Sequence, residues 1–515
     1  MRSFNGACEL VMVKSVVVLL LILAGHDTLL AQKRVKLKNA SVLKSGKDKE
    51  GNKFQRVIGD VVFEQNKTTI YCDSAYFYKL QNRIEAFGNI RILEGDSITI
   101  TGNKLEYDGD LKRAKLRNNV VFTKLATSTL YTNNLDFDRP KNLAYYFSGG
   151  KLVDSINVLT SNKGYYDLNS NLASFKKNVD VKNPSYTMTS DSLQYNSRTK
   201  VIYFRTKTVV IDRDSSKFFY DGGEYDTRTR QSNLASGMGE SPDYTLVGKG
   251  YQLDGIRKIY KLRGDVIMTS KKENLLIYGQ SADYYKAKGI SKIYNQAYIA
   301  KITDDNDTLF ITADTLVSVE SIDPTKKRLL AYHNVKIFRN DLQGVADSLE
   351  YRESDSTLYF YKKPILWTED NQMTADSIQM LLKNKTIDRI FLNVNSFVIS
   401  KDSILNFNQI KGRRMVAEFQ QQQISRVLVE GNGECIFHVL NEKDATLMGM
   451  NKIICSAITI RFKAGKVNNL SFYVQPEANF IPPHELKKED KTLKGFLWAE
   501  DRKPKRADVV KSFSP

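Results

Sequence analysis

The heptapeptide Thr101-Gly102-Asn103-Lys104-Leu105-Glu106-Tyr107 has close counterparts along most of this chain of 515 residues. Clear copies begin at Thr189, Val345 and Thr374. The third position is Asp or Asn in all but two copies, and successive copies lie 28 to 34 residues apart. These third positions are Asp73, Asn103, Asn133, Asn162, Asp191, Asp221, Lys249, Gln280, Asp314, Asp347 and Asp376. A period near 30 residues predicts a stack of repeated supersecondary units.

Each repeat is predicted to be a pair of β-strands joined by a turn. In the heptapeptide, Leu105 and Tyr107 alternate with charged residues, which is the period of two that a strand requires. Turn residues such as Asp108-Gly109-Asp110 follow, and a second strand ends in a Gly/Asn-plus-apolar phrase such as Gly88-Asn89-Ile90-Arg91-Ile92. We interpret the recurring Asp or Asn as a corner residue that bonds nearby backbone amides, because a catalytic residue has no reason to recur in every repeat.

Four segments follow from composition. Residues 1–31 are typical of a signal peptide, with positive charge, the apolar stretch Ser15–Ala24 and a small residue, Ala31, at the expected cleavage site; a retained N-terminal anchor is the alternative. The repeats occupy residues 32–235 and 236–481, divided at an irregular stretch. Residues 482–515 lose the repeat, and their many charges predict a basic tail that is disordered or docks a partner. The mature chain is therefore expected to leave the cytoplasm.

The formal net charge of +19 and the pI near 9.4 are explained either by an anionic partner or surface or by plain solubility. An exported chain has little access to nucleic acid, so we expect no nucleic-acid partner. A phosphorylated glycolipid fits better.

Catalysis and metal binding have little support. The histidines of the mature chain, His333, His438 and His484, have no nucleophile in a recognisable setting, and no phosphate-binding glycine loop is present. We therefore predict no catalytic residue, no metal site and no cofactor, although abundant carboxylates leave a glycosidase-type pair open. Whether Cys435 and Cys455 form a disulfide is also open, because spacing alone cannot establish it.

The succession of strand pairs resembles that of a known family. Residues 70–78, then Arg83–Ile92, then 100–105 with 114–122 are similar to the OstA-like (LptA-type) proteins, most clearly over residues 33–212. The resemblance implies an all-β fold, an extended open β-jellyroll that is U-shaped and solenoid-like, built here of stacked repeats of about 30 residues.

The resemblance also implies a non-enzymatic protein that carries lipopolysaccharide or a related glycolipid across the periplasm to the outer membrane. The implied protein partners are other jellyroll proteins of the transport bridge, on the inner-membrane side and at the outer-membrane translocon. The implied location is the periplasm or cell envelope, with association to the outer membrane left open. The chain departs from the family in being far longer than a minimal bridge protein.

An apolar stripe is the candidate lipid-binding groove. Its residues face one way along the predicted strands: Leu105, Tyr107, Val120, Phe122, Leu193, Tyr195, Leu316, Leu349 and Tyr351. The same residue types also fill closed cores, so lining and filling both remain open at each position.

The first and last strands are the candidate docking edges, because an open sheet leaves unpaired backbone groups there. They hold Val35 and Leu37 at one end, and Phe472 and Val474 at the other.

Two alternative functions belong to other classes. One is a structural or adhesive β-solenoid of the cell envelope, which a closed and packed interior would favour. The other is a polysaccharide-acting β-helix enzyme, which a cleft with two convergent carboxylates would favour.

Overall fold

This computed structural model describes residues 34–510, apart from 125–127, 155, 214, 241, 243, 272–273, 304–306, 369–370, 385, 422, 442 and 464–465. The predicted signal peptide, residues 1–31, lies outside the described residues. The chain divides into two compact units: unit 1 ends at Pro184 and unit 2 begins at Ser185.

Unit 1 is a series of antiparallel β-strands joined mostly by short turns. Consecutive long strands are hydrogen-bonded neighbours from the third strand to the eighth, so this part is a meander. The strands are β1 (Lys36–Asn39), β2 (Val42–Lys47), β3 (Lys53–Gln65), β4 (Thr68–Tyr78), β5 (Arg83–Glu94), β6 (Ile98–Asp108), β7 (Arg113–Lys124), β8 (Ser128–Asp138), β9 (Leu143–Tyr146), β10 (Gly150–Val153), β11 (Val158–Ser161), β12 (Lys163–Asp167) and β13 (Leu172–Asn183).

Unit 2 repeats the same antiparallel organisation with longer strands towards its end. Its strands are β14 (Tyr186–Asn196), β15 (Val201–Phe204), β16 (Thr208–Asp212), β17 (Lys217–Tyr220), β18 (Gly223–Asp226), β19 (Gln231–Glu240), β20 (Tyr244–Asp254), β21 (Ile259–Ser270), β22 (Leu275–Tyr285), β23 (Ile290–Ile302), β24 (Thr308–Val319), β25 (Arg328–Phe338), β26 (Leu342–Arg352), β27 (Thr357–Tyr361), β28 (Ile365–Thr368), β29 (Asn371–Thr374), β30 (Ser377–Lys383), β31 (Thr386–Lys401), β32 (Phe407–Gln420), β33 (Gln423–Leu440), β34 (Leu447–Lys463), β35 (Lys466–Tyr473) and β36 (Glu477–Ile481).

Helix is scarce in the part of the chain that the structure describes. It contains one short helix, α1 (Arg506–Val509), and 3-10 turns at Lys286–Lys288, Pro324–Lys326, Lys488–Lys491 and Glu500–Arg502. None of these helices has the length and apolar character needed to span a membrane. The predicted all-β fold class is confirmed, and the bent antiparallel strands of each unit agree with the predicted jellyroll.

Most long strands bend at a corner in their middle. The ladder between β4 and β5, for example, is interrupted between Tyr71 and Ser74. On every second strand, two adjacent residues at the corner adopt positive φ, which Gly and Asn tolerate better than other residues. The Gly/Asn phrases of the sequence are largely these corners. The doublets are Gly59-Asp60, Gly88-Asn89, Asn118-Asn119, Lys177-Asn178, Gly264-Asp265, Asn295-Gln296, His333-Asn334, Lys362-Lys363, Val394-Asn395, Gly431-Asn432 and Val474-Gln475.

The recurring Asp lies beside these doublets. The carboxylate of Asp73 accepts a hydrogen bond from the Asn89 side-chain amide on the next strand, at 2.9 Å. Asp314 and Asp376 do the same with the Asn residues of their neighbouring doublets, at 2.8 and 3.0 Å. A corner role is thus confirmed, but at these three positions the partner is a side-chain amide and not a backbone amide. The corner is crowded as well, because a Cβ at Gly88 would lie 2.2 Å from the Asp73 carboxylate.

The predicted turns are also present. Oδ1 of Asp108 accepts hydrogen bonds from the backbone N–H groups of Asp110 and Leu111, at 3.0 and 2.8 Å. Asp167, Asn196, Asp226 and Asp254 hold the corresponding turns in the same way. A short Asp or Asn side chain can bond the backbone two and three residues on, which explains its recurrence at this position.

The C-terminal segment differs from its prediction. The described part of it, residues 482–510, is not disordered but lies along the sheet of unit 2. Two fully buried glutamines hold its backbone. Gln409 donates to the carbonyl of Lys491 and accepts from the N–H of Leu493, at 2.7 and 2.8 Å. Gln372 makes the same pair of bonds with Leu497 and Ala499, at 2.6 and 2.8 Å.

This segment covers the outer face of the strands, opposite the main core. Phe397 and Ile399 belong to one buried apolar cluster with Leu493, whereas Val398 between them packs against the main core. In the same way, Ile365 and Trp367 form a buried cluster with Ala499. The strands therefore carry apolar residues on both faces, and charge composition alone did not indicate that a tail with so many lysines would cover one of them.

Candidate functional site

The inner faces of the bent strands form the candidate site, and each strand contributes to it through two arms. We call the arm next to the Asp108-type turn arm A and the arm beyond the corner arm B. In unit 1, arm A of β6 carries Leu105 and Tyr107, and arm B of β7 carries Val120 and Phe122. All four side chains are buried.

The two arms face each other. Phe63 on arm B of β3 pairs in the ladder with Ile70 of β4, and Phe77 lies seven residues further along β4. An extended chain of that length spans about 23 Å, yet the rings of Phe63 and Phe77 are 5.3 Å apart between centroids. The strand must therefore fold back at its corner. We call the space between the inner faces of the two arms the seam, and its side opposite the corners the mouth.

The remaining stripe residues lie on the same inner face in unit 2. Leu193, Leu316 and Leu349 are buried, with exposed fractions of 1 to 2%. Leu316 and Leu349 belong to one apolar cluster that runs from Ile277 to Ile460. Tyr195 and Tyr351 are half-buried, and Tyr351 packs against this cluster. The structure thus brings the predicted stripe to the inner face, and its buried members are packed against neighbours.

Polar side chains cross the mouth of unit 1, and sequence analysis missed them. The Tyr107 hydroxyl donates to the Gln65 side chain at 2.5 Å, and Gln65 donates to the carbonyl of Gly109 at 2.8 Å. Burial raises the pKa of Tyr107, and the nearby charge of Glu94 adds to this effect. The hydroxyl therefore stays protonated and able to donate.

The next two repeats carry their own mouth contacts. Arg139 Nε donates to Glu94 at 2.6 Å, and the same carboxylate accepts from Thr68. Lys124 donates to the Tyr166 hydroxyl at 3.0 Å and to the Asn171 side chain at 2.8 Å.

A signal for these residues existed in the sequence. Gln65, Glu94 and Lys124 each come two positions after an apolar residue at the end of arm B, at intervals of 29 and 30 residues. Each therefore occupies an inward position that the strand alternation reserves for apolar side chains.

The predicted docking edges lie at the outer strands of each unit. Leu37 is in β1, which pairs with β3, and Phe472 is in β35, which pairs with β34. Val35 precedes β1, is buried, and donates its N–H to the Asn82 side chain at 2.9 Å. Val474 lies at an exposed corner with φ of 61°. Docking at these edges stays a prediction. A proline substitution at Val35, which would block strand pairing there, is a poor test because it also removes the hydrogen bond from the Val35 N–H to Asn82.

Among the described residues, no hydrogen bond joins a histidine to a serine or cysteine nucleophile. At the corner around His333, the imidazole lies 3.4 Å from Asp347, and the Ser348 hydroxyl donates to that aspartate at 2.7 Å. The serine is not bonded to the histidine, so the histidine cannot activate it in this arrangement. His438 is buried, which lowers its pKa, and lies beside Asn408. No group of three metal-binding side chains occurs among residues 34–510 outside the gaps noted above.

The cysteines of the described chain are free thiols inside the core. Cys435 lies opposite Ile453, and Cys455 lies opposite Gly433, so the two are diagonal neighbours on β33 and β34. Burial raises the pKa of Cys72 and of Cys435 to about 12.

We predict that these thiols react slowly in the folded protein, because the thiolate is the nucleophile. At pH 8, alkylation of Cys72 and Cys435 by iodoacetamide is expected to be more than about 100-fold slower in the native protein than in guanidinium chloride. Peptide mass spectrometry after timed quenching measures this. Fast labelling of native Cys435, or an oxidised Cys435–Cys455 peptide pair, would contradict it.

Comparison with known proteins gives one family match. Residues 32–191 match the model of the family described as OstA-like protein. Solved structures that match include LptH of Pseudomonas aeruginosa, the LptA-homologous periplasmic component of its lipopolysaccharide transport device. The match has 14% sequence identity and a TM-score of 0.19, and it covers 20% of this chain and 79% of LptH. No curated protein matches the chain. The matched residues, 32–191, hold β1 to β13 and the start of β14, and the same strand pattern continues beyond them.

Proposed function

We propose that this chain is a non-catalytic carrier of lipopolysaccharide or a related glycolipid in the periplasm, and that it holds acyl chains in the seam. The observation that carries the proposal is the inner stripe of the segment that matches the OstA-like family, because it repeats apolar side chains at the same position in successive strand pairs. Equivalent sites in neighbouring repeats let a lipid move between them without a large barrier at any one.

The energetics allow an acyl chain to enter the seam. An acyl chain of about twelve methylenes gains roughly 10 kcal/mol on leaving water, at about 0.8 kcal/mol each. Leu105, Tyr107, Val120 and Phe122 stay out of water when an acyl chain replaces their present neighbours, so one apolar contact is exchanged for another.

The charge of the chain fits an anionic cargo. A net charge of +19 attracts the phosphate groups of such a glycolipid over several ångströms at physiological salt. We further propose that the outer strand edges at β1 and β35 pair with jellyroll proteins of a transport bridge, on the inner-membrane side and at the outer membrane. The export that this role requires rests on the predicted signal peptide.

A second candidate is a structural β-solenoid of the cell envelope. One observation favours it: the stripe residues Leu105, Val120 and Leu349 have exposed fractions of 0 to 1%, as in a filled core.

Native mass spectrometry of the protein purified from envelopes, with lipid extraction of what co-elutes, separates the two functions. We expect a glycolipid to co-purify with the protein, or the purified protein to take up added lipopolysaccharide, with about one molecule in each occupied site. Protein that is lipid-free and also takes up no added lipopolysaccharide would overturn the carrier and leave the structural solenoid.

A further inference from the structure

Three polar bridges cross the mouth of unit 1, one for each of three successive repeats. They are Gln65 with Tyr107 and Gly109, Glu94 with Arg139, and Lys124 with Tyr166 and Asn171. In each, the residue that ends arm B contacts the arm A end or the turn of a strand three pairing steps away: β3 to β6, β5 to β8, and β7 to β12 by way of β8 and β9. The bridges therefore recur with the period of the fold.

Such contacts exist only when the seam is closed. Strands β3 and β6 are separated by two others, so within a flat sheet they would lie about 14 Å apart. The Tyr107 hydroxyl nevertheless lies 2.5 Å from Gln65. Moving arm A away from arm B breaks all three bridges, whereas the ladder bonds between neighbouring strands remain.

The first two bridges include side chains that are shielded from water. Gln65, Glu94 and Tyr107 are buried, with exposed fractions of 4, 8 and 5%. Buried polar groups without partners are unfavourable, so opening the mouth requires new partners for these groups, and water can serve Gln65 and Tyr107. The two cations, Arg139 and Lys124, are partly exposed, and the Arg139 side chain is 40% exposed, so an anion outside the mouth can reach them.

We propose that these bridges are latches on the seam, and that its opening transfers Arg139 and Lys124 from protein partners to the phosphates of an anionic lipid. This inference rests on the proposed carrier function. Arg139 is suited to the exchange because its guanidinium, now bonded to Glu94 and Asn142, can bind a phosphate in the same fork geometry as a carboxylate.

The exchange makes the mouth selective. An anionic lipid replaces the Glu94 carboxylate at Arg139 with another anion, while Glu94 keeps its hydrogen bond from Thr68 and gains water as the mouth opens. An uncharged lipid leaves Arg139 to water and its own neutral groups, so it compensates less for opening the latch. A ligand shifts a closed–open equilibrium only by its difference in affinity for the two states, and the headgroup phosphate supplies that difference here.

A reversible cross-link tests the latch. In the double variant Glu94→Cys/Arg139→Cys, a short bis-methanethiosulfonate reagent ties the mouth shut, and a reducing agent releases it. The natural cysteines in residues 34–510 are buried, so they compete little for the reagent. The matched control is Glu106→Cys/Lys115→Cys, a ladder pair of unit 1 that faces outward. Binding of purified lipopolysaccharide is measured before cross-linking, after it and after reduction.

We expect the closed cross-link to lower lipopolysaccharide binding by the double variant at least tenfold. Reduction should restore the binding that the same variant showed before cross-linking, and the control cross-link should have no effect. A second variant, Arg139→Gln, should weaken binding of lipopolysaccharide more than binding of its enzymatically dephosphorylated form. Equal binding by the cross-linked and reduced double variant would overturn the latch while leaving the carrier function intact. If the wild-type chain binds no lipopolysaccharide at all, the carrier function itself fails, and the latch fails with it.

Discussion

Leu349→Asp is expected to unfold most of unit 2 or to lower its free energy of unfolding by about 4 kcal/mol or more. Leu349 is 1% exposed and belongs to the apolar cluster that joins successive strands of the unit. A carboxylate there has no partner and must be buried either charged or protonated, and both are unfavourable. Equilibrium denaturation in urea, followed by tryptophan fluorescence and circular dichroism, measures the change.

The matched control is Leu405→Asp, in the same unit. Leu405 is 67% exposed and adopts φ of 68°, which Asp tolerates better than Leu. Its free energy of unfolding should change by no more than about 0.5 kcal/mol. If Leu349→Asp instead leaves the midpoint unchanged, the seam at this level is an open groove and not a packed interior. The result also affects how lipid-binding tests are interpreted. A charge placed in the packed stripe unfolds the protein, so a loss of binding in such a variant does not identify a binding residue.

The second large effect is expected at the two glutamines that hold the C-terminal segment. Gln372→Ala and Gln409→Ala each leave one buried N–H and one partly buried carbonyl without the glutamine partner, and the buried N–H alone costs about 1–3 kcal/mol. In the double variant the segment should detach from the outer face and expose Phe397, Ile399 and Trp367. We expect a lower melting temperature and concentration-dependent self-association.

Limited proteolysis with trypsin gives the sharpest measurement. The double variant should be cut after Lys494 at least about tenfold faster than the wild type, because cleavage follows local opening. Gln423→Ala serves as control, since Gln423 is exposed in the same unit. Equal cleavage rates in all three proteins would mean that the glutamines do not hold the segment, and its docking would then rest on apolar contacts such as those of Leu493, Phe496 and Ala499.

The local structure of this fold follows from the types of residues at a few consecutive positions. The strand alternation and the Asp108-type turns were predicted from the sequence, and the Gly/Asn phrases were noted there without being assigned to the corners; each of these features depends on a few consecutive residues. Asp bonds the backbone two positions on, Gly and Asn tolerate positive φ, and an apolar residue at every second position selects one face. The period near 30 residues repeats the same strand pair along the chain. The fold class and the residues of the inner stripe can therefore be predicted from the sequence.

The contacts between arms required the tertiary structure. Gln65 meets Tyr107 and Glu94 meets Arg139 across the seam, over 42 and 45 residues. Gln372 meets Leu497 over 125 residues. Nothing local to these residues encodes the partner, because the distance between arms depends on the bend at every corner and on the volume of every side chain between them. The same geometry decides whether the stripe lines a groove or fills a core. The tertiary structure also showed that the charged C-terminal segment, predicted to be disordered, packs on a second apolar face of the strands.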